Sequence, residues 1–236
     1  MKNLFLSLFS AFFIFFVLSF VPGEFFFPLV AVLTLLLAVL MFRFYGNADA
    51  LAFLLACVAS LLAFPLPHSN TLYLQMAMGT IALHVIWKKR EEWWQGKRKM
   101  WRRVAEGVGL AIVMMVAGMG FGLILNLLGL NDGEKAVGVV TELPLYLLVA
   151  SFTLVPVTEE LFFRALMVPW LGVFISSIFF GLTHTSYGSV SEILGATFLG
   201  LILAYYFSRS KDLLPCIIAH AIFNFSSVLI IKMLAG

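Results

Sequence analysis

Six polar side chains stand out in the last third of this 236-residue chain because the runs around them are apolar: Glu159, Glu160, Arg164, His184, His220 and Asn224. In Glu159-Glu160-Leu161-Phe162-Phe163-Arg164, helical spacing puts Glu160 and Arg164 on one face, where an ion pair lowers the cost of burying both. Glu159 points about 100° away and is left without that partner. A carboxylate in that setting suits a general base, whereas the plain alternative is a structural pair with one extra acid. Phe180 and His184 share a face four residues apart, as do His220 and Asn224. Such groups also tie membrane helices together, so packing competes with chemistry for each of them.

The elements that must position these residues follow from composition. The chain is 62% hydrophobic and only 11% charged, against about 25% charged for a soluble domain. Apolar surface on that scale faces lipid, so the expected fold is an all-α polytopic membrane protein of about 8–9 transmembrane helices. Nine segments are predicted, at 4–21, 25–43, 48–64, 71–88, 105–128, 142–168, 170–184, 190–208 and 213–233. The first is read as a retained helix, since Pro22-Gly23-Glu24 offers no small-residue cleavage site. Residues 1–104 are taken as an N-terminal set of helices, and residues 105–236 as a catalytic core with an intramembrane polar cavity.

Segments 142–168 and 170–184 are predicted to form a hairpin turning near Leu171. Glu159 lies twelve residues before that turn and His184 thirteen after it. At about 1.5 Å per residue both sit roughly 18–20 Å from the turn, at one level. His220 is seven residues, about 10 Å, into its own span.

Charge sets the orientation. Eight of the fifteen basic residues lie between Lys88 and Arg103, with Glu91 and Glu92 opposing them. Beside apolar spans this reads as a cytoplasmic loop attracted to anionic lipid, with no role for nucleic acid. Nine crossings place that loop, Arg43 and Arg209/Lys211 on the cytoplasmic side. The stretch from Trp93 to Trp101 reads as an interfacial segment. The expected setting is therefore a multi-pass protein of the cell membrane, in contact with lipid and with its site reached from the cytosol. Cys57 and Cys216 lie inside apolar runs and read as buried hydrophobes. His68 and His84 have no partner at catalytic spacing, and Glu192 is read as an interface residue.

Together the motifs Glu159-Glu160-x-x-x-Arg164, Phe180-x-x-x-His184 and His220-x-x-x-Asn224 resemble those of the CPBP family. Its members are intramembrane proteases that include type II CAAX prenyl proteases and bacteriocin-processing relatives of the Abi group. The resemblance covers about residues 140–230. It implies endoproteolysis of a membrane-associated substrate, either a prenylated protein or a peptide. In that scheme Glu159 and His184 activate a water, His220 and Asn224 stabilise the oxyanion, and Glu160, Arg164 and Phe180 support them. No cofactor is favoured; a zinc site built from Glu159, His184 and His220 is the alternative, since those types form catalytic zinc centres. Phe162, Phe163, Phe179, Phe180, Phe223 and Phe225 could line a prenyl cavity, although with 25 phenylalanines in the chain, packing or lipid-facing rings are the better explanation. Two other classes compete: a proton- or ion-coupled transporter using the buried cluster, and a non-catalytic membrane scaffold.

Overall fold

The structure, a computed structural model, describes residue 78 and residues 99–235. The expected spans 4–21, 25–43 and 48–64 lie outside these residues, as do 71–88 but for Met78, the basic stretch up to residue 98, Cys57, His68 and His84. The chain divides into two compact units, Met1–Lys88 and Lys89–Gly236, and all that follows concerns the second.

The described residues of the second unit are helical with short connections, and the breaks are set by a few residues. Helix α1 runs Met100–Leu127. A short loop leads to α2, Glu134–Glu142, which ends because Pro144 forces Leu143 into an extended conformation (ψ 134°). Helix α3, Leu145–Phe152, then starts on Pro144, whose fixed φ suits a helix entry. Thr153 (φ −114°, ψ −68°) breaks the path again before α4, Leu154–Glu159. Glu160–Met167 continues as a π-helix, and α5 spans Val168–Leu182. A 3-10 turn, Thr183–Tyr187, ends on left-handed Gly188 (φ 65°). Helices α6, Val190–Ser210, and α7, Leu213–Ala235, complete the unit.

Among the described residues four stretches are long and apolar enough to cross a membrane: Met100–Leu127, Leu154–Tyr187, Val190–Ser210 and Leu213–Leu234. The pair α2 and α3, bent by 118°, makes a fifth if taken as one broken span. The fold is thus an all-helical multi-pass architecture. The predicted span 142–168 is realised in three pieces, because Thr153 and the π-helix interrupt what hydropathy alone reads as continuous.

Leu154–Tyr187 is not one straight rod. Gly172 adopts φ 77° and ψ 174°, which a side chain would oppose. Across it, the Ser176 hydroxyl donates to the Phe163 carbonyl at 3.2 Å, and the Phe163 and Phe180 rings meet at 5.2 Å. Seventeen residues of straight helix would separate those rings by about 25 Å. The chain therefore doubles back at Gly172, one residue beyond the turn predicted near Leu171.

Small residues let α5 and α6 approach antiparallel. A Cβ on Gly181 would collide with the Thr197 hydroxyl and come within 2.7 Å of the Ile193 carbonyl. One on Gly200 would lie 2.9 Å from the Phe180 ring. Two polar clasps fix the ends. At one, the Arg103 guanidinium bonds the Asp212 carboxylate twice (2.8 and 2.6 Å), joining the starts of α1 and α7 in a buried pair. At the other, Asp132 accepts from the Ser189 and Ser191 hydroxyls (2.8 and 2.9 Å) and from the Val190 and Ser191 amides. That cap anchors the α1–α2 loop to the first turn of α6. It also holds the Asp132 carboxyl far below the usual carboxylate range, chiefly through the Ser191 amide, then the Ser189 hydroxyl and the Val190 amide.

Candidate active site

The first motif sits where α4 passes into the π-helix. A π-turn bonds i to i+5, seen here as the Val168 amide donating to the Phe163 carbonyl. The wider turn brings successive side chains closer in direction than an α-helix does. Glu159 and Glu160 accordingly both reach toward α7, and the expected separation of the two does not hold. His220 Nδ1 lies 2.9 Å from Glu160 Oε1, and its Nε2 lies 3.7 Å from Glu159 Oε2. Glu159 is thus within reach of a histidine rather than left alone.

Glu160 has a second neighbour. Its Oε2 is 2.9 Å from Arg164 Nε, close enough for charge attraction although out of line for a hydrogen bond. Both side chains are completely buried. The Arg164 guanidinium also lies over the Phe180 ring at 4.6 Å and the Phe163 ring at 6.0 Å, and those π-faces offset part of its desolvation. Among the described residues its Nη1 and Nη2 have no hydrogen-bond acceptor.

Phe180 joins the three motifs. Its ring meets His184 at 5.1 Å and His220 at 5.7 Å, both edge-on, as well as the Arg164 cation. On its far side His184 stacks against Tyr187 at 5.9 Å with only 19° between the rings. His184 Nδ1 is 3.1 Å from the Phe180 carbonyl. A carbonyl can only accept, so Nδ1 carries a proton, and a neutral ring in that tautomer has a bare Nε2. The same logic applies to His220, whose Nδ1 faces a carboxylate oxygen.

Asn224 stands one turn beyond His220. Its Nδ2 donates to the Ser151 carbonyl at 2.8 Å, just ahead of the Thr153 break. An amide nitrogen carries two hydrogens, so one donor remains after that bond. Among the phenylalanines, Phe162, Phe163 and Phe180 are buried, while Phe225 is exposed with an edge contact to Phe152 at 5.2 Å. Cys216 is buried beside the Leu203 carbonyl (3.8 Å), as a thiol used for packing would be.

Glu159, Glu160, Arg164, Phe180, His184 and His220 thus form one cluster, with Asn224 reaching toward α3 alongside. Tyr187, Ser151 and Ser176 were not singled out from the sequence. Tyr187 falls three residues after His184, but the 3-10 turn that stacks the two rings leaves no mark in hydropathy. For a metal, the residue types are suitable, yet among the described residues no three His, Cys, Asp or Glu side chains are grouped as an ion requires.

Comparison with known families now adds a second line of argument. Residues 141–226 match the family model described as type II CAAX prenyl endopeptidase Rce1-like. This segment resembles that family. The match takes in all three motifs and the helices that carry them, and supports an intramembrane protease of the CAAX type. No curated protein and no solved structure matches the chain. The matched segment begins at Thr141, the last residue but one of α2, and ends at Ser226 within α7, so α1 lies outside it while its clasp partner Asp212 lies within.

Proposed function

We propose that this protein is an intramembrane endopeptidase in which a glutamate-activated water cleaves peptide bonds of membrane-associated substrates, prenylated or not. The supporting observation is the approach of Glu159 to His220 Nε2 (3.7 Å) between two apolar helices, with both side chains only 5% exposed. Placing ionisable groups there costs roughly 2.5–3.5 kcal/mol each even on lenient insertion scales, a burden that a lipid-facing helix has no reason to carry.

In this reading Glu159 takes the proton of a water whose oxygen attacks the scissile carbonyl. His184 Nε2, bare in the neutral ring, accepts from the same water and orients it. As the carbonyl carbon becomes tetrahedral, its oxygen gains negative charge. His220 donates to it from Nε2, a role that requires both ring nitrogens to carry protons because Nδ1 already donates to Glu160. The free amide hydrogen of Asn224 supplies a second donor. Collapse of the intermediate breaks the C–N bond, and the proton held by Glu159 passes to the departing amine. Glu160, Arg164 and Phe180 keep the histidines in place.

A fluorescence-quenched peptide in proteoliposomes, offered with and without a farnesyl group, tests the proposal. The parent protein cleaves it, and Glu159→Gln and His220→Ala each reduce the rate by about 10²–10³ or more. Unchanged cleavage in Glu159→Gln refutes the assignment. Proton flux that depends on Glu159 in the absence of any cleavage establishes the transporter instead.

A further inference from the structure

His184 is the least enclosed ionisable group of the candidate site. Glu159, Glu160, Arg164 and His220 are buried between helices. His184 is half-buried in the 3-10 turn Thr183–Tyr187, with exposed Ser186 and Gly188 close behind it. An imidazole turns about two side-chain bonds, and its Nε2 must stay aimed if it is to orient a water productively. The approach of Nδ1 to the Phe180 carbonyl (3.1 Å) fixes which edge of the ring faces the helix. That single contact leaves the ring free to tilt about it.

Two aromatic rings remove the tilt. Phe180, one turn before His184, meets it edge-on at 5.1 Å and 60°. Tyr187, one turn after, lies nearly parallel to it at 5.9 Å and 19°. The second contact follows from the kind of turn. In a 3-10 helix residues i and i+3 eclipse each other, about 6 Å apart at about 2.0 Å of rise per residue. In an α-helix the same two positions diverge by about 60°, and their rings do not stack. The observed spacing of the rings is the rise of one 3-10 turn.

The turn is kept in that form by contacts along and beyond it. The Thr185 hydroxyl donates to the Leu182 carbonyl at 3.0 Å, and the Gly188 amide donates to the Thr185 carbonyl at 2.9 Å. Gly188 then leaves the helical path at φ 65°. Immediately after it, Ser189 and Ser191 are fastened to the Asp132 carboxylate. Asp132 precedes the matched segment 141–226, so the α1–α2 loop takes part in holding the site.

We infer that Tyr187 is a positioning residue of the reaction: its ring, carried on a turn that Asp132 anchors, holds the His184 imidazole in the plane from which Nε2 orients the water. The purpose of the contact rests on the protease reading; the contact itself does not. The flat face of the ring does the holding and the hydroxyl has no part in it. Phenylalanine can therefore replace Tyr187, whereas leucine fills the space without supplying a face.

Magnetic resonance and cleavage kinetics on the full chain test the two parts separately. In micelles, with histidine and tyrosine ring protons observed selectively, His184 is assigned as the signal lost in His184→Gln. The parent should show a nuclear Overhauser contact between the His184 and Tyr187 rings, and a His184 signal moved upfield by the parallel ring. Tyr187→Phe should keep that upfield position and Tyr187→Leu should lose it. Toward the quenched peptide, Tyr187→Leu should lower kcat about 10²-fold with KM unchanged, the effect of an aim lost by about 1 Å. Tyr187→Phe should restore most of that rate. Equal loss of kcat in Tyr187→Phe and Tyr187→Leu overturns the inference, as does a Tyr187→Leu effect carried by KM. Cleavage by a parent whose two rings show no contact defeats the positioning and leaves the protease standing. Ring contact in a parent that does not cleave defeats the protease and leaves the hold on His184 standing.

Discussion

Replacing Glu160 separates its two duties, and the sizes of the effects follow from its contacts. Glu160 is fully buried between Arg164 Nε and His220 Nδ1, each 2.9 Å away. Glu160→Leu leaves the Arg164 charge buried opposite a methyl group, a change that costs about 3–5 kcal/mol. It also strands the His220 Nδ1 donor, adding about 1–3 kcal/mol. Arg164→Met strands the Glu160 carboxylate instead, at about 3–5 kcal/mol. The double variant removes both charges together, and apolar replacement of a buried pair is often neutral or stabilising. It should therefore be several kcal/mol more stable than the two single losses added, well outside the usual 0.3–0.5 kcal/mol additivity of independent sites. Activity should not recover, because His220 still lacks the acceptor that holds its ring. Reversible unfolding in mixed micelles measures the first quantity and peptide cleavage the second. A double variant whose stability loss equals the sum of the singles refutes the pairing. One that regains cleavage refutes the orienting role.

Three further outcomes are expected. Arg103→Ala breaks a buried two-bond pair and should cost about 3–5 kcal/mol in micelle unfolding while leaving the KM for peptide unchanged; a silent Arg103→Ala would show that the α1–α7 clasp carries no load. The Asp132 carboxyl is held below its unfolded value, so its contribution is complete above about pH 4 and falls away as pH drops toward the depressed folded value. Asp132→Asn should therefore flatten the acid limb of the stability–pH curve below about pH 4, and an unchanged limb means the cap is idle. Cleavage should persist after exhaustive chelation with metal content verified by mass spectrometry. Activity lost on chelation and regained with zinc establishes a metal site of Glu159, His184 and His220.

Much of the site was legible because it depends on residue type and i,i+4 spacing. Glu160–Arg164, Phe180–His184 and His220–Asn224 all survive as local neighbours, and the hairpin turn was misplaced by only one residue because a glycine marks it. What escaped depends on departures from the regular α-helix. The π-helix re-aims Glu160 so that it, rather than Glu159, bonds His220 directly, and no residue in Glu160–Met167 announces such a turn. The Ser151 carbonyl becomes an acceptor for Asn224 only because α3 breaks at Thr153, and a lone threonine is a weak breaker signal. Arg103–Asp212 joins residues 109 apart, a pairing that spacing along the chain cannot reveal.

Consider finally the Ser176 hydroxyl that crosses from one arm of the hairpin to the Phe163 carbonyl on the other. A π-turn holds one more peptide unit per loop than its surroundings, so its position along the helix sets which way the side chains beyond it point. Here the returning arm pins that position at one carbonyl. The two arms are consequently a single inherited part: exchange either one for a generic apolar span, and the register of both glutamates is free to drift.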